Sequence, residues 1–127
     1  MSVDVEALFE QVRSLCLKHP EAFEKPSHGS PAFFLLKGGQ FATLWNNHHD
    51  DGNIALLLAA RPGIQEALIS ENADVYYRPP YYGPGGWVGV RLDKGLPLEE
   101  IEGLIDEAFE LILAKKRAKS KSKPKPA

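Results

Sequence analysis

The sequence predicts an α+β two-layer sandwich, in which an antiparallel sheet is covered by an N-terminal and a C-terminal helix. Two stretches, residues 3–18 and 97–114, repeat apolar residues every three or four positions, which is typical of amphipathic helices. Between them lie short β-prone runs separated by turns that contain glycine, which is typical of antiparallel strands. Each long helix has a single apolar stripe and needs a sheet to cover it.

The first helix is predicted over residues 3–18, with Ser2 as its cap and Pro20 as its stop. Its apolar face consists of Val5, Leu8, Phe9, Val12, Leu15 and Cys16. The position of Cys16 on this face predicts a buried thiol rather than a nucleophile, and a single cysteine excludes an internal disulfide.

The centre of the chain predicts a three-stranded antiparallel meander. Residues 20–31, which contain three prolines and a glycine, are interpreted as a loop. Residues 32–37 form a β-prone run, Gly38-Gly39 a hairpin turn, and residues 40–45 the return strand. Strict alternation in that strand places Phe41, Thr43 and Trp45 on one face and Gln40, Ala42 and Leu44 on the other. Residues 53–59 supply the third strand.

The second half predicts a short helix, two further strands and the closing helix. The short helix covers residues 64–70, and the strands cover residues 75–78 and 87–91. The closing helix begins at Pro97 and is expected to fray after Ala114, where lysine, serine and proline leave nothing to bury.

The segment from Tyr76 to Arg91 is the most unusual part of the sequence. It holds four tyrosines, a tryptophan, two arginines, three prolines and four glycines in sixteen residues. Its prolines and glycines predict a shaped loop. The aromatic rings then either pack on the core or present a surface to a partner, for example by stacking on unpaired bases. If the loop is extended, Tyr82 is expected to be the exposed ring.

Charge divides the chain into a predicted domain, residues 1–114, and a basic, disordered tail, residues 115–127. The domain contains all 17 acids and 8 Lys or Arg, a net charge of −9, whereas the tail carries seven Lys or Arg and no acid. Such a tail either attaches loosely to a polyanion or serves as a solubilising extension. The absence of a signal peptide and of any apolar run near ~20 residues predicts a soluble cytoplasmic protein, with a monomer favoured.

Three segments carry a family likeness: HGSPAFFLLKGGQFATL (28–44), PPYYGPGGWVGVRLD (79–93) and LPLEEIEGLIDEAFELILAKK (96–116). They resemble the MmcQ/YjbR family, whose fold is similar to that of frataxin/CyaY. The resemblance implies an α-β-α layout and a proposed double-wing DNA-binding role, in which two hairpins act as wings. Family members often carry basic residues at the position of Gln40 and in the loop between Gly83 and Gly86. This sequence has the neutral Gln40 and Pro84-Gly85 there.

The leading functional hypothesis is therefore a nucleic-acid-binding module that contacts DNA largely through backbone phosphates. The predicted contact residues are Lys37, Gln40, Arg78, Tyr81, Tyr82, Trp87, Arg91, Lys115, Lys116, Arg117 and Lys119. The alternative is a protein- or small-ligand-binding domain that uses the aromatic segment and has no DNA affinity beyond the tail. A third, more distant hypothesis is frataxin-like iron binding by the acidic face of the first helix.

Enzymatic, cofactor and metal-binding functions are not expected. The sequence has no nucleotide fingerprint, Walker loop, nucleophile elbow or zinc pattern. His48-His49-Asp50-Asp51 is better explained as turn chemistry than as a metal site, because neighbouring side chains in an extended segment point to opposite faces. His28 joins such a cluster only if the fold happens to bring it there.

Overall fold

The computed structural model of the chain describes residues 4–47 and 52–122. These residues form three α-helices and six β-strands. In chain order they are α1 Val5–Leu17, β1 Ala22–Ser27, β2 Ser30–Leu35, β3 Gln40–Asn46, β4 Ile54–Leu58, α2 Ile64–Glu71, β5 Tyr76–Tyr77, β6 Val88–Arg91 and α3 Leu98–Ser122.

The strands form one antiparallel sheet with the order β1-β2-β3-β4-β6-β5. Helices α1 and α3 pack on one face of this sheet, here called the helix face, over a core that includes Phe33, Leu44 and Leu56. The opposite face carries a smaller cluster of Trp45, Ala55 and Leu57 and is here called the open face. The α+β two-layer arrangement predicted from the sequence is confirmed.

Strand β1 lies within residues 20–31, for which the sequence predicts a loop, so that prediction is wrong. β1 pairs with β2 through a tight turn at His28-Gly29, whose φ angles are 53° and 81°. Pro26 and Pro31 face each other beside this turn. β1 lies at the edge of the sheet, and an edge strand tolerates proline because its outer N–H groups have no ladder partner to lose.

A β-bulge in β3 overturns the predicted alternation of that strand. Phe33 pairs with Ala42 and Phe34 pairs with Gln40, so Phe41 is the extra residue. The Phe41 ring contacts Phe109 of α3, with centroids 5.4 Å apart, and therefore lies on the helix face with Ala42. Gln40 is turned to the open face instead, where its amide reaches the hydroxyl of Tyr82.

Helix α1 is capped by Asp4, whose Oδ1 accepts a hydrogen bond from the N–H of Ala7 at 3.1 Å, and not by the predicted Ser2. Its C-terminal end is joined to α3. Lys18 donates to Glu102 at 2.6 Å, and the imidazole of His19 lies 3.0 Å from an oxygen of Asp106 and stacks on Phe109. These contacts fix the two helices side by side across the sheet.

Helix α3 continues to Ser122, so the predicted end of the helix after Ala114 is wrong. Its buried stripe does end at Leu113, as the sequence pattern indicates. The lysines and alanine that follow are good helix formers, and Lys116 anchors the extra turns by donating to the carbonyl of Leu36 at 2.9 Å. Within residues 4–47 and 52–122, no helix is long and apolar enough to cross a membrane.

The Cys16 thiol is expected to make stability fall at alkaline pH. Cys16 is fully buried, and this burial raises the pKa of its thiol from 9.0 to about 12. Above pH 9 the unfolded chain loses this proton while the folded chain keeps it. The free energy of unfolding therefore falls by up to about 1.4 kcal/mol per pH unit as pH rises towards 12.

Urea unfolding of the wild type and Cys16→Ala between neutral pH and pH 10.5 measures this effect. The wild type is expected to lose more stability with pH than the variant, because only the wild type carries the buried thiol. Equal pH dependence of the two proteins would contradict the assignment.

Candidate functional site

The aromatic loop, residues 78–87, is a compact turn at the end of the sheet where β6 begins. The N–H groups of Tyr82 and Gly83 donate to the carbonyls of Pro80 and Pro79, both at 2.7 Å, and Gly83–Gly85 form a 3₁₀ turn. Gln65 of α2, only 3% exposed, donates to the carbonyls of Gly83 at 2.9 Å and Trp87 at 2.6 Å. The loop is therefore held to the body by hydrogen bonds at both ends of its glycine-rich half.

Two of the aromatic rings that are predicted to contact nucleic acid pack against other side chains of the protein. Tyr82 and Trp87 are half-buried on the open face, with ring centroids 4.6 Å apart, and Trp45 lies 5.9 Å from Tyr82. Gln40 donates to the Tyr82 hydroxyl at 3.2 Å. The prediction that Tyr82 is the exposed ring of the loop is wrong.

The exposed ring belongs to Tyr81, whose exposed fraction is 75%. Its φ is +68°, in the left-handed region that a bulky side chain rarely occupies. The carbonyls of Pro80 and Pro79 accept hydrogen bonds from the N–H groups that follow Tyr81, and these bonds enforce its conformation. Backbone strain of this kind is concentrated at functional sites, which makes Tyr81 the leading candidate of the loop.

The two arginines of the segment differ in their freedom to bind a ligand. Arg91 is half-buried, and its guanidinium donates to Asn53 at 2.9 Å and to the carbonyls of Ala73 and Asp74 while lying 4.6 Å above the ring centroid of Tyr77. Arg78 is exposed. The aliphatic part of its side chain packs against Gly83 so closely that a Cβ added to Gly83 would lie 2.6 Å from Cγ of Arg78. Arg91 thus stabilises the fold, whereas Arg78 can reach a ligand.

A basic cleft of about 600 Å³ lies between the β2–β3 turn and the C-terminal part of α3. It is here called the lysine cleft and is lined by Lys37, Gly38, Gly39, Ile112, Lys115, Lys116 and Lys119. Lys116 is also paired with Glu21, Nζ to Oε1 at 3.2 Å. The cleft unites four of the residues predicted to bind nucleic acid, and it exists only because α3 extends beyond Ala114. Arg117 is exposed on the same helix but does not line the cleft.

Sequence reasoning missed a third group, on β1 and β2. Phe23 and Phe34 stack with centroids 5.7 Å apart, and Lys25 Nζ lies 4.6 Å above the Phe34 ring. Phe34 pairs with Gln40, which places the group on the open face beside the aromatic loop. The alternation of Phe23 and Lys25 in AFEKPS is the available signal for this strand, whereas the prolines around it favour a loop.

A second cavity, of about 240 Å³, separates α2 from α3 on the helix face. Its apolar lining includes Leu58, Leu68 and Leu104, with Arg61 and Glu107 as its charged members. Metal-binding geometry is not found: among residues 4–47 and 52–122, no group of three His, Cys, Asp or Glu is placed to hold an ion. His48, His49, Asp50 and Asp51 lie outside the described residues.

Comparison with known proteins gives the family. The YjbR family model matches residues 17–111. The chain belongs to the YjbR family. In structure it is similar to Deinococcus radiodurans protein DR2400, which carries the DUF419 domain, with a TM-score of 0.67 and 21% identity over 81% of this chain and 76% of that one. At this identity the similarity shows a shared fold. No curated protein matches the chain.

Proposed function

We propose that this YjbR-family protein is a cytoplasmic, monomeric DNA-binding module that contacts backbone phosphates and performs no catalysis. The observation that carries the proposal is the lysine cleft, in which Lys37 from a hairpin turn meets Lys115, Lys116 and Lys119 from α3. Phosphate contacts of this kind supply most of the non-specific affinity for DNA.

The charge distribution supports the cleft as the place where the phosphate backbone lies. Residues 1–114 are acidic, with 17 acids against 8 Lys or Arg, so attraction for a polyanion is concentrated near the C-terminal part of α3. Within the cleft, Lys116 pairs with Glu21. The positive potential is therefore local, and it orients DNA towards this end of the sheet.

The β2–β3 hairpin is the natural wing of such a module. Its turn projects Lys37 with a φ of 58°, and Gly39 packs close to Ile112 of α3. Gln40, at the base of the turn, joins the hairpin to Tyr82 of the aromatic loop. In this arrangement the wing, the lysine cleft and the loop form one contact region at a single end of the sheet.

Fluorescence anisotropy with labelled DNA across a salt series tests the proposal. The variant is Lys37→Gln, Lys115→Gln, Lys119→Gln, which spares Lys116 because that side chain also holds Glu21 and the Leu36 carbonyl. Each lost phosphate contact lowers the magnitude of the salt slope by about one, so the triple variant is expected to lower it by about three and to bind more weakly at every salt concentration.

The matched control neutralises Lys121, Lys123 and Lys125, three charges from the same end of the chain. The cleft variant is expected to weaken binding much more than this control. Equal losses would mean that binding depends on the total positive charge and not on the cleft, and the proposal would be wrong. Truncation after Ala114 is a poor substitute, because it removes three of the four lysines that form the cleft.

The second candidate function is binding of a small apolar ligand, and the cavity between α2 and α3 favours it. Arg61 lines this cavity, and its guanidinium forms no ion pair or hydrogen bond within the described part of the chain, so it is available to an anionic group such as a carboxylate. If this function is correct, hexanoate is expected to raise the melting temperature of the wild type but not that of Arg61→Met.

A further inference from the structure

We infer that the preferred ligand is single-stranded nucleic acid, whose unpaired bases stack along the open face while its phosphates reach the lysine cleft. This inference rests on the proposed function and adds the class of nucleic acid. It follows from the aromatic rings at this surface, of which Tyr81 and Phe23 are exposed and Phe34 is half-buried beneath Phe23.

Tyr81 is the first stacking position. Its ring is 75% exposed, and the backbone that carries it is held by the 2.7 Å hydrogen bonds to Pro79 and Pro80 and by the Gln65 contacts at Gly83 and Trp87. An aromatic ring on a fixed backbone loses little conformational entropy when a base stacks on it. Arg78, exposed three residues earlier, is available to the adjoining phosphate.

The Phe23–Phe34 pair is the second stacking position. Phe23 is 36% exposed although it lies in a β-strand, and its ring is nearly parallel to that of Phe34, at 21°. Lys25 is exposed above Phe34, which adds a cation beside the rings. Aromatic side chains on the face of a sheet, with cations between them, are the arrangement with which several RNA- and single-strand-binding domains hold bases.

The two positions lie on one continuous surface. Phe34 is the pairing partner of Gln40 across the β2–β3 ladder, and Gln40 is hydrogen-bonded to Tyr82, the neighbour of Tyr81. Lys37 lies three residues before Gln40, so their Cα atoms are at most about 11 Å apart. A single strand can thus cross from the open face over the hairpin turn into the lysine cleft.

Duplex DNA uses only part of this surface. Bases in a duplex are stacked on each other and present no face to a protein ring, whereas their phosphates remain accessible. The lysine cleft therefore serves both forms, and the rings serve only unpaired bases. Selectivity for the single strand is the measurable consequence.

The experiment compares a labelled oligothymidylate with a duplex of equal length, using the full chain and the variants Tyr81→Ala and Phe23→Ala. Each variant is expected to bind the oligothymidylate about tenfold more weakly, and the duplex as the wild type does. Leu98→Ala is the control, because Leu98 is 40% exposed but lies at the start of α3, away from the open face. Circular dichroism and melting temperature verify that each variant is folded.

Tyr81→Trp and Tyr81→Gly complete the test. Tryptophan keeps a stacking ring and is expected to keep single-strand affinity, whereas glycine suits the positive φ and removes only the ring, so it is expected to bind like Tyr81→Ala. If both rings can be removed without changing single-strand affinity, the inference is wrong while the proposed function stands. If the lysine variant leaves the binding of both nucleic acids unchanged, it is the proposed function that fails.

Discussion

Phe41→Ala is expected to lower the free energy of unfolding by about 3–5 kcal/mol, the usual cost of removing a fully buried phenylalanine ring. Phe41 has no exposed surface, and its ring meets Phe33 of β2 and Phe109 of α3, at centroid distances of 6.4 and 5.4 Å. The variant leaves a cavity where the sheet touches the closing helix. Urea unfolding followed by circular dichroism measures the loss.

Phe34→Ala is the matched control, because Phe34 lies in the same hairpin but is half-buried on the open face. It is expected to cost about 1 kcal/mol, since its neighbours Phe23 and Lys25 are themselves exposed to water. If Phe41→Ala cost no more than Phe34→Ala, Phe41 would not lie between the sheet and α3, and the bulge would be misplaced.

The bulge at Phe41 marks the point at which sequence reasoning about the sheet fails. The alternation in residues 40–45 correctly predicts a strand, because the period of two is a local property of the chain. A one-residue insertion in the pairing is not local, since it depends on how β2 and β3 meet α3. Its consequence is large: it exchanges the faces of Phe41 and Gln40, and Gln40 thereby becomes the link to the aromatic loop.

The edges of the fold were also harder to predict than its centre. Pro26 and Pro31 suggest a loop, yet Pro26 lies in the edge strand β1 and Pro31 lies near the start of β2, before its pairing with β3 begins at Ala32. The pairing of β1 with β2 is what reveals the strand. The end of α3 is similar. Its apolar stripe stops near Ala114, but Lys116 is held by Glu21 and the Leu36 carbonyl, contacts that lie far away in sequence.

The candidate site shows the same division between residue identity and arrangement. Charge and composition were sufficient to select Lys37, the lysines after Ala114 and the tyrosines of the aromatic segment. The sequence does not reveal that Lys37 meets Lys115 and Lys119 in one cleft, or that Arg91 is engaged by Asn53 and two carbonyls. Whether a ring is exposed or a cation is engaged depends on tertiary contacts, which only the structure supplies.

Gln65 illustrates this dependence, and Gln65→Leu is expected to destabilise the protein by about 2–4 kcal/mol. One side-chain amide nitrogen supplies both of its hydrogens, one to the carbonyl of Gly83 and one to that of Trp87. Leucine has a similar volume but no donor, so in a largely buried site the carbonyl of Trp87 loses this donor and the carbonyl of Gly83 keeps only the N–H of Gly86. A buried carbonyl left without its donor costs about 1–3 kcal/mol, and a hydrogen bond lost by a carbonyl that keeps another donor costs about 1 kcal/mol. Urea unfolding measures the total.

The same variant tests whether the loop geometry depends on α2. Amide hydrogen exchange of residues 83–87 is expected to accelerate more in Gln65→Leu than exchange in the β3–β4 ladder, because the lost bonds hold only the loop. Gln40→Leu is the matched control: its partner, the Tyr82 hydroxyl, is partly accessible to water, so a loss below about 1 kcal/mol is expected. Uniform acceleration in Gln65→Leu would show that Gln65 stabilises the whole fold. Acceleration confined to the loop would show that the small helix α2 holds the Tyr81 backbone in its strained conformation.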